Sequence, residues 1–454
     1  MAVISDAEFL RVLESLVRDV LADEEETPVR VNLDPATCID ELDLNLPEHG
    51  IGFEKLAAKL RRVLAHSPTT STAQFFNQLF GGRDWASVLG DMLVPVVNNS
   101  MYTYKVAGPH VLIERVLVEK MGALMGFKEP GGIFSPGGSL SNLTAIVLAR
   151  NEAEKHVREN GLSAKKHRIY TSSVSHYSIR KGANMAGVGR DNVVKIPVDE
   201  HARMRPDALD AAIEKDREDG CIPTLVNATL GTTVEGAFDP IPAIAQVCQK
   251  HGVWLHLDGA WGGSMVLSPE KKHLFEGAHL ADSISWDAHK MMGVPLTSSV
   301  LLTKEQDVLT RHLSENADYL FQQDTDWLNP GTRSIQCGRR NDFLKVWTGW
   351  QVHGDAGYAE RIRRCLELVQ YAVGVIRDDP RLELALEPES LNVCFTVKGA
   401  CSKEICASLY DQARVMVGFG EVADKTVVRV IFLNPALTTS DLDYFFQNVL
   451  EVAA

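Results

Sequence analysis

The chain contains 454 residues, of which 45% are apolar and 23% are charged, and its formal net charge is −14. This balance is typical of a globular protein with about two or three domains around a large core. The acidic charge argues against nucleic acid or an anionic membrane as the main partner. No apolar run approaches the length of a transmembrane helix, so we expect no membrane span.

The eight cysteines include no C-x-x-C pair and no spacing that is typical of a zinc site. A chain of this length does not need disulfides for its stability, so we expect reduced thiols and no bound metal. The N-terminus lacks the basic and apolar regions of a signal peptide. Together these features predict a cytoplasmic protein.

Residues 1–75 are predicted to form a helical arm rather than a domain. Residues 6–22 carry one apolar face, and a capping box at Ser5 marks the start of this helix. Residues 23–50 are acidic and contain proline, which is typical of an extended linker. A second amphipathic helix is predicted near 52–64.

Residues 76–340 alternate between helical and β-rich patterns. Helices are predicted at 110–125, 140–158, 205–218 and 240–251, and strands at 168–172, 193–196, 224–228, 253–257, 283–286 and 299–303. Such alternation predicts a large α/β domain whose mostly parallel sheet is covered by helices on both faces.

Residues 341–454 are predicted to form a smaller α+β domain. Its elements are a long helix at 342–377, strands at 392–397 and 427–432, and a last helix at 440–452.

A loop rich in glycine and serine, Ser135–Asn142, opens a predicted helix. Gly137 and Gly138 let the backbone approach an anion, and the helix N-terminus offers free N–H groups and a partial positive charge. Ser139 and Ser141 add hydroxyl donors. The pattern indicates a phosphate cradle, with an ordinary helix-capping loop as the alternative.

Three further residues lie close to the ends of predicted strands. Asp258 can pair with a protonated pyridine nitrogen, or it can simply cap a helix. Lys290 becomes a nucleophile that forms an imine if it is desolvated, whereas at the rim of the sheet it would face solvent. His176 can stack on a ring and relay protons, or it can be structural. Together with the cradle they favour a cofactor site.

These residues resemble the group II pyridoxal phosphate (PLP)-dependent amino-acid decarboxylases, and within them the glutamate and cysteine sulfinate decarboxylases. The segments that match the family pattern are Phe75–Phe80, Ser135–Asn142, Ser175–Ser178, Gly231–Pro240, Asp258–Gly263, Asp287–Met292, Tyr319–Asp324 and Gln336–Arg340. The resemblance runs from about residue 75 to the C-terminus. It implies a fold-type I, aspartate-aminotransferase-like fold, PLP as the cofactor, and a homodimer with shared active sites.

The resemblance also implies a role for each matched residue. Lys290 would carry PLP as an imine, Asp258 would pair with the pyridine nitrogen, and His176 would stack on the ring. Further cofactor contacts are implied for Gly138, Ser139, Thr232, Ala260, His289 and Cys337, with Cys337 coming from the partner subunit. Substrate contacts are implied for Gln78, Ser100, Tyr102 and Arg429, of which Arg429 grips a carboxylate.

The implied reaction is loss of CO2 from a small acidic amino acid, after its amine has displaced Lys290 from the cofactor. Ser100 and Tyr102 match cysteine sulfinate decarboxylases, whereas glutamate decarboxylases carry Asn and Phe at these positions. The resemblance therefore favours cysteine sulfinate, cysteate or aspartate over glutamate.

Three departures from the family pattern leave alternatives open. Asp287-Ala288 replaces Asn-Pro, and Gly259 replaces an alanine. Residues 325–333 contain no tyrosine, although the family uses one in this loop to protonate the substrate Cα. The alternatives are a decarboxylation-coupled oxidative deaminase that releases an aldehyde, another fold-type I lyase or transaminase, and a non-catalytic scaffold that binds PLP.

Overall fold

The computed structural model describes residues 4–27, 29–30, 32–315 and 326–454. The strands are β1 (Gly131–Ser135), β2 (His167–Ser172), β3 (Val193–Ile196), β4 (Ile222–Thr229), β5 (Trp254–Gly259), β6 (Ser283–Asp287), β7 (Ser299–Thr303), β8 (Leu382–Leu384), β9 (Asn392–Val397), β10 (Gly418–Val422) and β11 (Lys425–Ile431). All eight strands predicted from the sequence are therefore present, with ends that agree within two residues.

The helices of the described residues surround two sheets. They are α1 (Asp6–Glu26), α2 (Pro35–Glu41), α3 (Phe53–Ala65), α4 (Trp85–Val97), α5 (Tyr104–Ala107), α6 (His110–Leu124), α7 (Gly138–Ala153), α8 (Val157–Asn160), α9 (Ser178–Met185), α10 (Pro206–Glu218), α11 (Ile241–His251), α12 (Val308–Leu313), α13 (Leu344–Asp378), α14 (Ser402–Asp411) and α15 (Thr439–Val452). Within this part of the chain, no helix combines the length and the apolar character that crossing a membrane requires.

The larger sheet has seven strands in the order β1-β7-β6-β5-β4-β2-β3. Strands β3, β2, β4, β5 and β6 run parallel, and β7 runs antiparallel to β6 and to β1. This confirms the mostly parallel sheet that the strand–helix alternation predicts. Because the parallel strands share one direction, the residues that follow β2, β4, β5 and β6 meet at one edge of the sheet.

One face of β5 and β6 is polar although both strands are buried. His256 and Asp258 alternate with leucines along β5 and lie opposite Ser283 and Ser285 of β6. The amide of Asn142 on α7 reaches this face, so α7 covers the polar side chains from water. A polar layer of this kind is stable in the interior only if its members are hydrogen-bonded.

The smaller sheet is antiparallel, in the order β10-β11-β9-β8. A segment of the N-terminal part joins it, because Phe76 N–H donates to the Met416 carbonyl (2.8 Å) and Ile431 N–H donates to the Phe76 carbonyl (3.1 Å). The two sheets fall on either side of residue 340. The division into an arm and two domains at 75 and 340 stays a prediction.

The linker 23–50 and the long helix at 342–377 differ in detail from the sequence-based expectation. The segment 23–50 is not extended throughout, because α2 begins at Pro35 after Asp34, whose side chain accepts from Ala36 N–H (3.1 Å). The long helix α13 is interrupted at Gly354, where φ is 59° and ψ is −174°. Both differences have local signals, an Asp-Pro pair that starts a helix and a glycine within a helical pattern, which hydrophobic periodicity does not detect.

Candidate active site

A cavity of about 280 Å³ lies where β2, β4, β5 and β6 end and α7 begins. It is lined by Pro136, Gly137, Gly138, Ser139, Asn142, His176, Ser178, Thr229, Gly231, Thr233, Asp258, Ala260, Trp261, Asp287, His289 and Lys290. A larger depression of about 930 Å³ lies at the opposite end of β4 and β5. Parallel sheets bind ligands at the carboxyl ends of their strands, so the smaller cavity is the candidate site.

Asp258 is buried near the end of β5 and receives hydrogen bonds on both oxygens. Asn142 Nδ2 donates to Oδ2 (2.8 Å), and the Ala260 N–H (3.1 Å) and the Ser285 hydroxyl (3.2 Å) donate to Oδ1. Burial acts to raise the pKa of Asp258, but the nearby Lys290 ammonium and the hydrogen bond from the Ala260 N–H outweigh it and keep the pKa below its ordinary value. The side chain is therefore a carboxylate that can hold a cationic group of a ligand.

Lys290 follows β6 and lines the cavity. Its Nζ lies 3.4 Å from Asp287 Oδ2, and its side chain is 21% exposed, so it does not face bulk solvent. Asp287 itself is buried, and its Oδ1 has no hydrogen-bond partner. An amine in this position can be reached by a ligand in the cavity.

His176 lies in the loop between β2 and α9 and also lines the cavity. Burial lowers the pKa of His176, so its imidazole is neutral at pH 7. The Ser178 N–H donates to Nδ1 (3.3 Å), which leaves the ring proton on Nε2. A neutral imidazole with this tautomer can donate a hydrogen bond or cover an aromatic ring.

The cradle is formed by the turn before α7 and by its first residues. Gly137 has a φ of 116°, which other residues rarely adopt. A Cβ on Gly138 would lie 2.7 Å from Asp287 Oδ2 and 3.2 Å from the Ala260 Cβ, so a side chain there would fill the space. Ser141 instead points away, because its Oγ is bonded to the hydroxyls of Ser135 (2.6 Å) and Ser299 (2.8 Å).

Two other predicted residues lie behind the wall of the cavity. Thr232 Oγ1 donates to Glu235 (2.8 Å), while its neighbours Gly231 and Thr233 line the cavity. Arg429 Nη1 donates to the Thr233 carbonyl (3.3 Å), and its Nε is buried without a hydrogen-bond partner. Arg429 is thus separated from the cavity by one residue.

Four predicted residues do not line the cavity within one chain. Ser100 Oγ accepts from the Arg339 N–H (3.0 Å), and the Tyr102 carbonyl accepts from the Gly331 N–H (2.9 Å). Cys337 is exposed, and so is Gln78, which lies beside the segment that joins the smaller sheet.

Sequence reasoning gave no role to Asn142, Ser178, Ser285 or Thr233, although all of them form or support the wall. Asn142 lies four positions after Gly138 on a helix, which places both on one face, but an amide at this spacing is only a weak signal. The matched segment Tyr319–Asp324 lies outside the described residues, and residues 326–333 form short 3₁₀ turns.

The comparisons with known proteins agree with one another. The family model for the pyridoxal-dependent decarboxylase conserved domain matches residues 35–398. Human cysteine sulfinic acid decarboxylase is 38% identical over 433 residues, which cover 90% of this chain and 88% of the relative. Bovine acidic amino acid decarboxylase is 40% identical over 359 residues, 78% of this chain and 69% of the relative. The crystal structure of mouse CSAD superposes with a TM-score of 0.90 at 34% identity, covering 97% of this chain and 98% of the other.

The cavity fits the cofactor of this family. The buried carboxylate of Asp258 suits a protonated pyridine, the bare Gly138 leaves room for a phosphate at the start of α7, and Lys290 provides an amine. The shared architecture confirms the fold-type I fold that the resemblance implies. The chain therefore belongs to the pyridoxal-dependent decarboxylases and is an amino-acid decarboxylase that uses PLP.

Proposed function

We propose that the protein decarboxylates a small acidic amino acid, with cysteine sulfinate, cysteate and aspartate preferred over glutamate. The observation that carries the proposal is the cavity at the carboxyl ends of the strands, which brings Lys290, Asp258 and His176 together. The likeness to cysteine sulfinic acid and acidic amino acid decarboxylases supports the substrate class. Ser100 and Tyr102 support the preference within that class.

When bound, PLP supplies an electron sink for the pair of electrons that CO2 leaves behind. Asp258 holds the pyridine nitrogen in its protonated form, because its carboxylate accepts the proton of that nitrogen in a hydrogen bond. Lys290 would hold the cofactor through its amine before the substrate binds and after the product has left. His176 covers the ring and excludes water, and its Nε2–H can hold a hydrogen bond at the reacting carboxylate. Gly138, Ser139, Ala260 and His289 line the cavity and complete the proposed cofactor contacts, whereas Thr232 lies behind its wall and bonds to Glu235.

Arg429 supports the acidic character of the proposed substrate. Burial lowers the pKa of Arg429, and the hydrogen bonds of its terminal nitrogens go to the main-chain carbonyls of Thr233 and Asn77. Its Nε–H is buried without an acceptor, which is unfavourable for a cation. A carboxylate or sulfinate of the substrate, or a rearranged side chain of Gln78, would satisfy this group.

We further propose a homodimer with shared active sites in the cytoplasm. Helix α4 exposes a row of large apolar side chains, namely Trp85, Leu89, Met92, Leu93, Val96 and Val97, which is the kind of surface that a subunit interface covers. Ser100, Tyr102 and Cys337 lie outside the cavity of their own chain. In a homodimer they can contribute to the cavity of the partner subunit. Unpaired thiols at all eight cysteines support the cytoplasmic location.

The proposal is tested with the PLP-loaded protein and a panel of acidic, sulfinic, diamino and aromatic amino acids, measuring CO2, amine, aldehyde and peroxide together. We expect CO2 and amine in equal amounts from the three-carbon acidic substrates. Aldehyde with peroxide would establish the oxidative deaminase instead, and no product from any acidic substrate would refute the proposal. Lys290→Ala is expected to abolish turnover and the visible absorbance of the bound cofactor.

A further inference from the structure

A chain of hydrogen-bonded side chains runs through the polar layer between α7 and the larger sheet. It starts at Trp254, where β5 begins, and passes through Ser283, His256 and Asn142 before it reaches Asp258 at the cavity. His256 and Ser283 have no exposed surface, and Asn142 is 1% exposed. Among these residues only Asn142 and Asp258 line the cavity, so the chain continues behind it.

The direction of every bond in this chain is fixed by chemistry. The Trp254 indole N–H can only donate, and it donates to Ser283 Oγ (2.9 Å). At the other end the Asp258 carboxylate accepts from Asn142 Nδ2, so Asn142 Oδ1 accepts from His256 Nε2–H (3.0 Å). The remaining nitrogen of the neutral ring, Nδ1, therefore accepts from the Ser283 hydroxyl (2.9 Å). Burial lowers the pKa of His256 to about 4, which agrees with a neutral ring that has one donor and one acceptor.

The Nε2–H of His256 decides which end of the Asn142 amide faces Asp258. With Oδ1 held by His256, the amide presents Nδ2 to Asp258 Oδ2 (2.8 Å) and to Ser178 Oγ (3.0 Å). Without this donor the amide can turn over and place an oxygen against the carboxylate. Two acceptors in contact in a buried site repel each other and leave both without a proton.

The same arrangement favours the ionised form of Asp258. The groups bonded to its two oxygens, the Asn142 amide, the Ser285 hydroxyl and the Ala260 N–H, all act as donors. If Asp258 were protonated, its O–H would need an acceptor at a position where a donor now lies. A shell of donors thus compensates for the burial of the charge.

We infer that His256 and Asn142 are positioning residues that keep Asp258 ionised and aimed at the cofactor's pyridine nitrogen, and that Ser283 and Trp254 fix the tautomer of His256. The inference rests on the proposed pairing of Asp258 with that nitrogen. It adds that the proton on the cofactor ring depends on His256, Ser283 and Trp254, which do not line the cavity.

The test titrates the full-length apoprotein with PLP that carries a ¹⁵N label in its ring. It measures the apparent Kd and the ¹⁵N chemical shift of the bound pyridine nitrogen. For His256→Phe we expect binding about tenfold weaker and a shift toward the unprotonated nitrogen. His256→Gln can place its amide nitrogen near the position of Nε2, so both values should stay close to wild type. In His256→Asn the side chain is too short to reach Asn142, so this variant should behave like His256→Phe. It is used in place of His256→Phe if that protein does not fold.

Two reference variants separate the possible failures. Asp258→Asn tests the proposed pairing itself, and an unchanged Kd and nitrogen shift there would refute that part of the proposed function. His167→Gln removes another buried, hydrogen-bonded histidine, at the amino end of β2, and should leave both values unchanged. Wild-type values in His256→Phe and His256→Asn, while Asp258→Asn is altered, would overturn the inference. Equal changes in His167→Gln and His256→Phe would overturn it as well, since they would indicate a general effect on folding.

Discussion

Asp287 is a buried acidic residue of the site, and His289 Nε2 lies 3.7 Å from its Oδ2. The Oδ1 of Asp287 has no hydrogen-bond partner, and its Oδ2 is 3.4 Å from Lys290 Nζ and close to the space above Gly138. The family pattern has a neutral asparagine here. A carboxylate beside a phosphate cradle opposes the anion that the cradle is proposed to bind.

Asp287→Asn is therefore expected to bind PLP more tightly, by about threefold to tenfold, because a buried like charge is removed while the size of the side chain is kept. Titration of the apoprotein with PLP measures this change. Asp282→Asn, at the amino end of β6, is the matched control and should leave the affinity unchanged. Weaker binding by Asp287→Asn would indicate that pairing with Lys290 matters more than repulsion of the phosphate.

The site residues that the sequence predicted are ionisable side chains near the ends of buried strands, where such residues are distinctive. Asp258, Lys290 and His176 were found in this way, and all three line one cavity. Asn142 was missed because an amide on a helix has no distinctive pattern, and its importance appears only when His256 and Asp258 are seen on either side of it. The roles of the predicted residues stay predictions until the variants are measured.

At the scale of elements, α7 and the sheet beneath it enclose a group that responds to pH. Burial lowers the pKa of His256 to about 4 from an ordinary value of 6.5. Above pH 6.5 the ring is neutral in both the folded and the unfolded chain, so it has no effect on stability there. Between these two values the unfolded chain binds a proton that the folded chain does not, so stability decreases as the pH falls.

The expected loss from this group reaches about 3 kcal/mol near pH 4. Urea unfolding of the wild type and of His256→Gln at a series of pH values measures it, since glutamine does not titrate. As the pH decreases from 6.5 to 4, the free energy of unfolding of the wild type should decrease relative to that of His256→Gln. A difference that is independent of pH would contradict a neutral, buried His256.

The break in α13 gives a second prediction for an element. Gly354 has a φ of 59° and a ψ of −174°, a conformation that is essentially restricted to glycine. Gly354→Ala should destabilise the protein by about 1–3 kcal/mol through backbone strain alone, since no atom lies within 4 Å of the added Cβ. Gly374→Ala, in the regular part of α13 and equally uncrowded, should stabilise it by up to about 1 kcal/mol. Unfolding curves in urea compare the pair, and equal effects would contradict the strain argument.

Elements were predictable where the hydrophobic pattern was regular. Strands β3, β7 and β9 have the predicted residues at both ends. Helix α2 was missed because its seven residues are too short for a periodic pattern. The edge strands β8 and β10 were missed because they are short and partly exposed, and their pairing depends on residues distant in the chain.

On the scale of the whole molecule, the apolar face of α4 predicts how the subunits associate. Changing Leu89 and Val96 together to glutamate introduces charge into the proposed interface, and we expect sedimentation velocity to change from dimer to monomer. CO2 release should fall sharply in the monomer if Ser100, Tyr102 or Cys337 serves the partner's cavity. Tyr444→Glu, an exposed aromatic on α15, is the control and should remain a dimer. A double variant that stays dimeric would place the interface elsewhere.

The pairing of Phe76 with Met416 and Ile431 has a consequence for biosynthesis. The Asn77 carbonyl that accepts from Arg429 precedes it by 352 residues, so the proposed substrate end of the site draws on two segments that are distant in the chain. A ribosome has to release Arg429 and the strand that carries it before this wall can form. The large sheet, by contrast, is complete at Thr303. A nascent chain can therefore assemble the cofactor end of the site well before it gains the means to select a substrate.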